Sequence, residues 1–162
     1  MSVRPVLRWP EPRLSTRCEP VGNWDVAALV ADLFETMYAA PGRGLAAPQV
    51  GVLRRVFVMD AGWKTGEKTP LAVIDPEILW LSPETCLSAE GCLSISGITA
   101  EVTRHCELRL AFRDETGGRQ ERHLTGAEAL IAQHEYDHLD GLVTLDRLAP
   151  QERAALEAEY AA

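Results

Sequence analysis

Between Thr125 and Gly141 the chain reads T-G-A-E-A-L-I-A-Q-H-E-Y-D-H-L-D-G. His134 and His138 are four residues apart, one turn along a helix, so both imidazoles can reach one metal ion while Glu135 stands beside it as a general base. Two histidines leave a metal short of ligands. The candidates for a third are carboxylates and Cys92, which lies in the stretch E-G-C-L-S, Glu90 to Ser94. A thiolate binds a borderline-soft ion strongly, and Gly91 beside it permits an unusual backbone path. Taken alone, that pentapeptide reads more simply as a buried structural cysteine. Gly42 to Gly51, G-R-G-L-A-A-P-Q-V-G, lets backbone come close to a strand or a ligand. It is a poor phosphate loop, because no Lys-Ser/Thr follows and no strand leads into it.

Positioning these groups requires a helix, and its signals are present. Thr125 followed three residues later by Glu128 predicts a capping box at its start, and Asp140-Gly141 predicts a left-handed stop. Ala127, Leu130, Ile131, His134 and His138 recur at steps of three and four and share a stripe. An otherwise apolar stripe predicts that both histidines point into the protein. Upstream, Met1 to Gly22 is Pro-rich and predicted extended across the body. Asn23 to Tyr38 follows as a scaffold helix, with Val26, Leu29, Val30, Leu33, Phe34 and Met37 inward and Asp25, Asp32 and Glu35 outward. Strands are predicted at 54–59, 71–74 and 78–81, with 61–70, which holds both lysines, and 82–91 as exposed loops. Ile98 to Val102 and Cys106 to Arg113 alternate as strands, Asp114 to Gly118 is a hairpin turn, and Arg119 to Leu124 is a polar edge strand. A short strand at 143–145 and a helix opening at Pro150 complete the chain. The order predicts an α+β fold: antiparallel sheets packed around a central metal-binding helix, with an N-terminal helix and a short C-terminal helix, in one domain over 1–162.

Composition narrows the function classes. With 162 residues, 46% of them hydrophobic and 25% charged, the chain can bury a core without staples. No apolar run approaches the ~20 residues of a membrane span, and the N-terminus lacks an apolar signal region, so the cytoplasm is expected. A net charge of −8 argues against general nucleic-acid binding. Without a secretion signal the four cysteines are expected as reduced thiols, Cys106 as a small core residue and Cys18 and Cys86 as incidental.

The three stretches occur in the order G-R-G-L-A-A-P-Q (42–49), E-G-C-L-S (90–94) and Q-H-E-Y-D-H (133–138). Together they closely resemble the signature motifs of peptide deformylases, and the resemblance spans nearly the whole chain. It implies a hydrolase that removes the formyl group from the N-terminus of nascent formylmethionyl peptides. It implies one divalent ion on Cys92, His134 and His138, Fe(II) by family precedent, with Zn(II), Ni(II) or Co(II) also suited to the donors. Three protein ligands and an open position belong to a catalytic site. Glu135 would shuttle the proton, and the side-chain amide of Gln49 and the backbone N–H of Leu93 would hold the oxyanion. Backbone near Gly44 would pair with the peptide as an added strand, with Arg43, Leu45, Glu90 and Gly91 also on the substrate side. Glu90 and Arg104 would form an ion pair, and Asp137 would help orient the site.

The chain departs from that pattern in places. Arg43 replaces a small aliphatic residue, and Ser96 and Thr103 replace prolines. The family's ribosome contact uses a basic C-terminal helix, whereas this one carries Glu152, Glu157 and Glu159 against Arg153. Two rivals remain. A protease sharing H-E-x-x-H would need a third ligand on a downstream Glu-bearing helix, which is absent. A binding-only or altered-preference relative of the fold would be favoured by loss of Glu135 or Gln49, and both are present.

Overall fold

In the computed structural model, which describes residues 2–161, the chain is α+β, with antiparallel sheets and three α-helices. The helices are α1 (Ala27–Ala39), α2 (Gly126–Leu139) and α3 (Pro150–Ala161). Five strands form one antiparallel sheet in the order β1 (Gly44–Ala46), β2 (Val56–Met59), β3 (Leu71–Leu81), β6 (Leu108–Arg113) and β7 (Arg119–Leu124). A separate hairpin pairs β4 (Thr85–Cys92) with β5 (Ile95–His105). β1 is one edge of the larger sheet and β7 the other.

Burial on both faces explains the central strands. All four β2 residues are buried. Val56 and Val58 face the cluster that packs under α1 with Leu29, Leu33 and Met37, while Phe57 and Met59 face the cluster that holds α2. The side chains alternate, so one strand serves two cores. A third cluster, with Leu14, Ile95, Val143 and Leu145, joins the hairpin to the N-terminal segment and α3. The N-terminal segment does lie across the body, as its prolines suggest. Its backbone reaches Asp32 and Thr36 of α1, the carbonyl of Gln49 and the carbonyl of Ser94. It thereby ties together two stretches that carry candidate site residues.

Several expectations need correction. α1 begins at Ala27 rather than Asn23, and Asp32 is buried, because it accepts from Ser2 N–H and pairs with Arg4 at 2.7 Å. The first sheet strand after the glycine loop begins at Val56, not Arg54, and the segments at 71–74 and 78–81 are one continuous strand with irregular register. Residues 85–92 are strand β4, not loop. Thr125 makes no side-chain cap bond; its carbonyl accepts from Ala129 N–H instead. Residues 144–147 form a 3-10 turn rather than a strand. Cys86 and Cys106 are joined in a disulfide rather than reduced, and only Cys18 and Cys92 are free among the described residues. Gly141 does end α2 in the left-handed region, at φ +77°.

Candidate metal centre and active site

α2 runs between the large sheet and the β4–β5 hairpin and presents polar groups to both. Gln133, His134, Glu135, Asp137 and His138 are all buried. Its core contacts come from Ala129, Ala132 and Leu139. The stripe of Ala127, Leu130 and Ile131 lines a cleft of about 580 Å³, with Ile131 also packed against that core. His134 and Glu135 stand at the inner end of that cleft, with Gln49, Cys92 and Leu93 opposite.

Cys92 Sγ and the ring nitrogens of His134 and His138 offer ligand atoms that all lie within 4.8 Å of one another. Cys92 Sγ is 3.5 Å from His138 Nε2, and the two imidazoles meet edge-on at 5.1 Å. A thiol and two imidazoles suit a divalent transition ion. The two imidazoles differ in their electrostatics. Burial alone would lower the pKa of His134, but Glu135, Cys92 and Glu90 raise it well above the ordinary histidine value. Burial, followed by the His134 charge, pushes His138 well below it.

A buried chain of charge fixes the ligands from behind. His134 Nδ1 lies 2.8 Å from Glu90, whose carboxylate also accepts two bonds from Arg104, at 2.9 and 2.8 Å. Arg104 donates onward to Asp137 at 2.6 Å, and Asp137 accepts twice more from Arg147. Burial would raise the Glu90 pKa, yet the bonds from Arg104 and His134 bring it down to about 2. Because Nδ1 is held by this carboxylate, Nε2 of His134 is turned toward the sulfur side. Arg147 was not among the candidates read from sequence. It closes the 3-10 turn at 144–147, two residues beyond the short strand expected at 143–145, where nothing in the sequence ties it to Asp137.

Glu135 lies on the open side of the group. Its Oε1 is buried without a hydrogen-bond partner among the described residues, and its Oε2 lies 3.9 Å from His134 Nε2. Burial, only partly offset by His134, raises its carboxyl pKa to about 7. Gly44 is what allows this placement: a Cβ there would lie 2.5 Å from Glu135 Oε2.

Gln49 is held by its own turn. Its Oε1 accepts from Ala46 N–H at 3.0 Å, and its Nε2 donates to Ser94 Oγ at 3.1 Å and lies 3.7 Å from Cys92 Sγ. The remaining candidates fall as follows. Gly91 and Arg43 line the cleft, and Arg43 is exposed at its rim. Leu45 is fully buried in the α1 core and does not line the cleft. Glu90 borders the cleft, but its carboxylate is occupied by Arg104 and His134.

A family model described as polypeptide deformylase matches residues 3–154. The chain belongs to the polypeptide deformylase family. It is 42% identical to a peptide deformylase of Phenylobacterium zucineum over 155 residues, covering 94% of this chain and 92% of that protein. A Bradyrhizobium diazoefficiens protein named peptide deformylase-like is 38% identical over 162 residues, covering 99% and 94%. Among solved structures, the Ehrlichia chaffeensis peptide deformylase in complex with actinonin superposes with a TM-score of 0.91 at 34% identity, covering 98% of this chain and 96% of that one. Membership makes the chain a hydrolase of a metal-dependent deformylase family, and the Cys-His-His group is where such an ion fits. No helix among the described residues is long and apolar enough to cross a membrane.

Proposed function

We propose that this chain hydrolyses the formyl amide of N-formylmethionyl peptides in the cytoplasm, with Cys92, His134 and His138 holding the ion. Fe(II) is our choice of native metal, and Zn(II), Ni(II) or Co(II) would suit the same donors. When bound, the ion supplies Lewis acidity and lowers the pKa of a water.

The chain's own residues supply the rest. Glu135 takes the proton from the attacking water and returns it to the leaving amine, a shuttle that works best with a pKa near the working pH. Its value of about 7 suits that task. Gln49 Nε2 and the N–H of Leu93 hold the charge that develops on the carbonyl oxygen. The substrate backbone adds to the free edge of β1. Asp60 N–H bonds to Arg43 C=O at 2.9 Å, so ladder alternation turns the N–H and C=O of Gly44 away from β2 and toward that edge. The side chain of the formylated residue enters the apolar wall of Ala127, Leu130 and Ile131. Arg104 and Asp137 hold Glu90 and hence His134 in place. A ribosome contact through α3 finds little support in its acidic first turn.

The observation that carries the reading is the placement of Glu135: on the helix between both histidines, buried at the cleft lining, with Oε2 3.9 Å from His134 Nε2 and Oε1 unpartnered among the described residues. Glu135→Gln preserves shape and removes the base. Metal content should be retained, and formate release from formyl-Met-Ala should fall by at least about a hundredfold. Turnover near the wild-type rate in that variant would overturn the proposed role.

A further inference from the structure

We propose that the cleft favours formyl peptides whose second residue is acidic, with Arg43 as the group that reads it and Lys64 adding charge at the same rim. The inference rests on the reading above, in which substrate lies along β1.

Three observations carry it. First, side chains along β1 alternate between two faces. A Cβ on Gly44 would point at Glu135 and Ala46 packs with the α2 core, whereas Leu45 packs under α1. Arg43 lies at the bend just before β1, where its C=O accepts from Asp60 N–H, and its exposed side chain lines the cleft rim. Second, a strand added to this edge alternates in the same way. With the first side chain against Ala127, Leu130 and Ile131 on the α2 side, the second turns away from α2, toward the rim where Arg43 is exposed. Third, the rim is positive in a chain whose net charge is −8. Arg43 and Lys64 both line the cleft and both are exposed. Neither is paired with a carboxylate among the described residues. Lys64 lies 5.9 Å from the ring of Trp63, whose Nε1–H donates to Gly42 C=O and anchors that segment beside the loop. The two carboxylates that border the cleft, Glu90 and Glu135, lie at its inner end, and Glu90 is already bonded to Arg104 and His134. An acidic side chain at the second position would therefore meet an arginine across the strand pair with no competing partner.

The test measures kcat/KM for formyl-Met-Asp-Ala-Ala against formyl-Met-Asn-Ala-Ala at low ionic strength, with a second pair carrying Asp or Asn at the third position. An exposed cross-strand charge pair supports an Asp preference of about twofold to fivefold, carried in KM. The preference should be smaller at the third position and should fade as salt shortens the range of the charge. Arg43→Val should bring the ratio close to one, Arg43→Lys should retain part of it, and Arg43→Glu should invert it. A wild-type ratio of one, or a ratio that survives Arg43→Val, overturns the inference while leaving the deformylase reading intact. If no formyl peptide is turned over at all, the reading of the site itself fails.

Discussion

Gly44→Ala is the sharpest test of how this fold sets its active-site geometry. The added Cβ would meet Glu135 Oε2 at 2.5 Å and its Cδ and Cγ at 3.0 Å each. Unstrained carbon contacts lie near ~3.5–4.0 Å, so the carboxylate must retreat by about 1 Å. It cannot do so freely, because Glu135 is buried on a helix between the buried side chains of His134 and His138. A displacement of about 1 Å at a reacting group costs roughly a hundredfold in rate. The methyl points at Glu135 from the sheet face and leaves the hydrogen-bonding edge of β1 open, so the loss should appear in kcat more than in KM. Overpacking should also lower stability by about 1–3 kcal/mol. Gly42→Ala is the internal comparison. Its Cβ meets the tip of Leu93 at 2.9 Å, a terminal methyl that can swing away, so it should cost less than tenfold. Steady-state formate release, metal content and urea unfolding separate the three effects. If Gly44→Ala kept wild-type kcat with its metal intact, Gly44 would not be what limits the position of Glu135.

Two further outcomes concern stability. Arg104 is buried between Glu90 and Asp137, so Arg104→Met should cost about 3–5 kcal/mol by stranding buried carboxylates, and a loss under ~1 kcal/mol in urea unfolding would contradict that account. Asp114 is half-buried, and hydrogen bonds from Thr116 and Gln120 lower its pKa to about 2. A lowered folded-state value gives stability that is present above the unfolded pKa near 3.8 and lost as pH falls toward 2. The stability gap between wild type and Asp114→Ala should therefore be full at pH 6 and shrink between pH 4 and 2. A gap constant over that range would mean that the carboxylate charge is not its source.

What sequence alone could reveal followed apolar periodicity. Val56–Met59, Leu108–Arg113 and the inward face of α1 were legible because their buried positions are hydrophobic. Strand β4 was not. Its exposed Leu87 and buried Ser88 invert the usual alternation, so the pattern reads as loop. That error hid a second feature. Cys86 lies opposite Arg104 in the hairpin register, close to Cys106, and without the β4 pairing nothing in the sequence places the two cysteines together. The disulfide was then judged from compartment, which says nothing about cross-strand geometry.

The same inversion governs α2, where it has a functional cause. The apolar stripe at Ala127, Leu130 and Ile131 suggested a core face, but it lines the cleft, while the helix buries Gln133, His134, Glu135, Asp137 and His138. A substrate wall must be apolar and reachable, and a buried centre must carry polar groups in a dry setting. Each demand opposes the rule that sorts residues by hydropathy. The polar face remains buried because nearly every group on it has a partner: Glu90 for His134, Arg104 and Arg147 for Asp137, and the His105 backbone for Gln133. Two buried polar atoms of α2 lack one among the described residues, His138 Nδ1 and Glu135 Oε1, and Glu135 lines the cleft. Local pattern therefore misleads most where partners from distant segments satisfy the buried charge, and the one unsatisfied oxygen on that face marks where chemistry can occur.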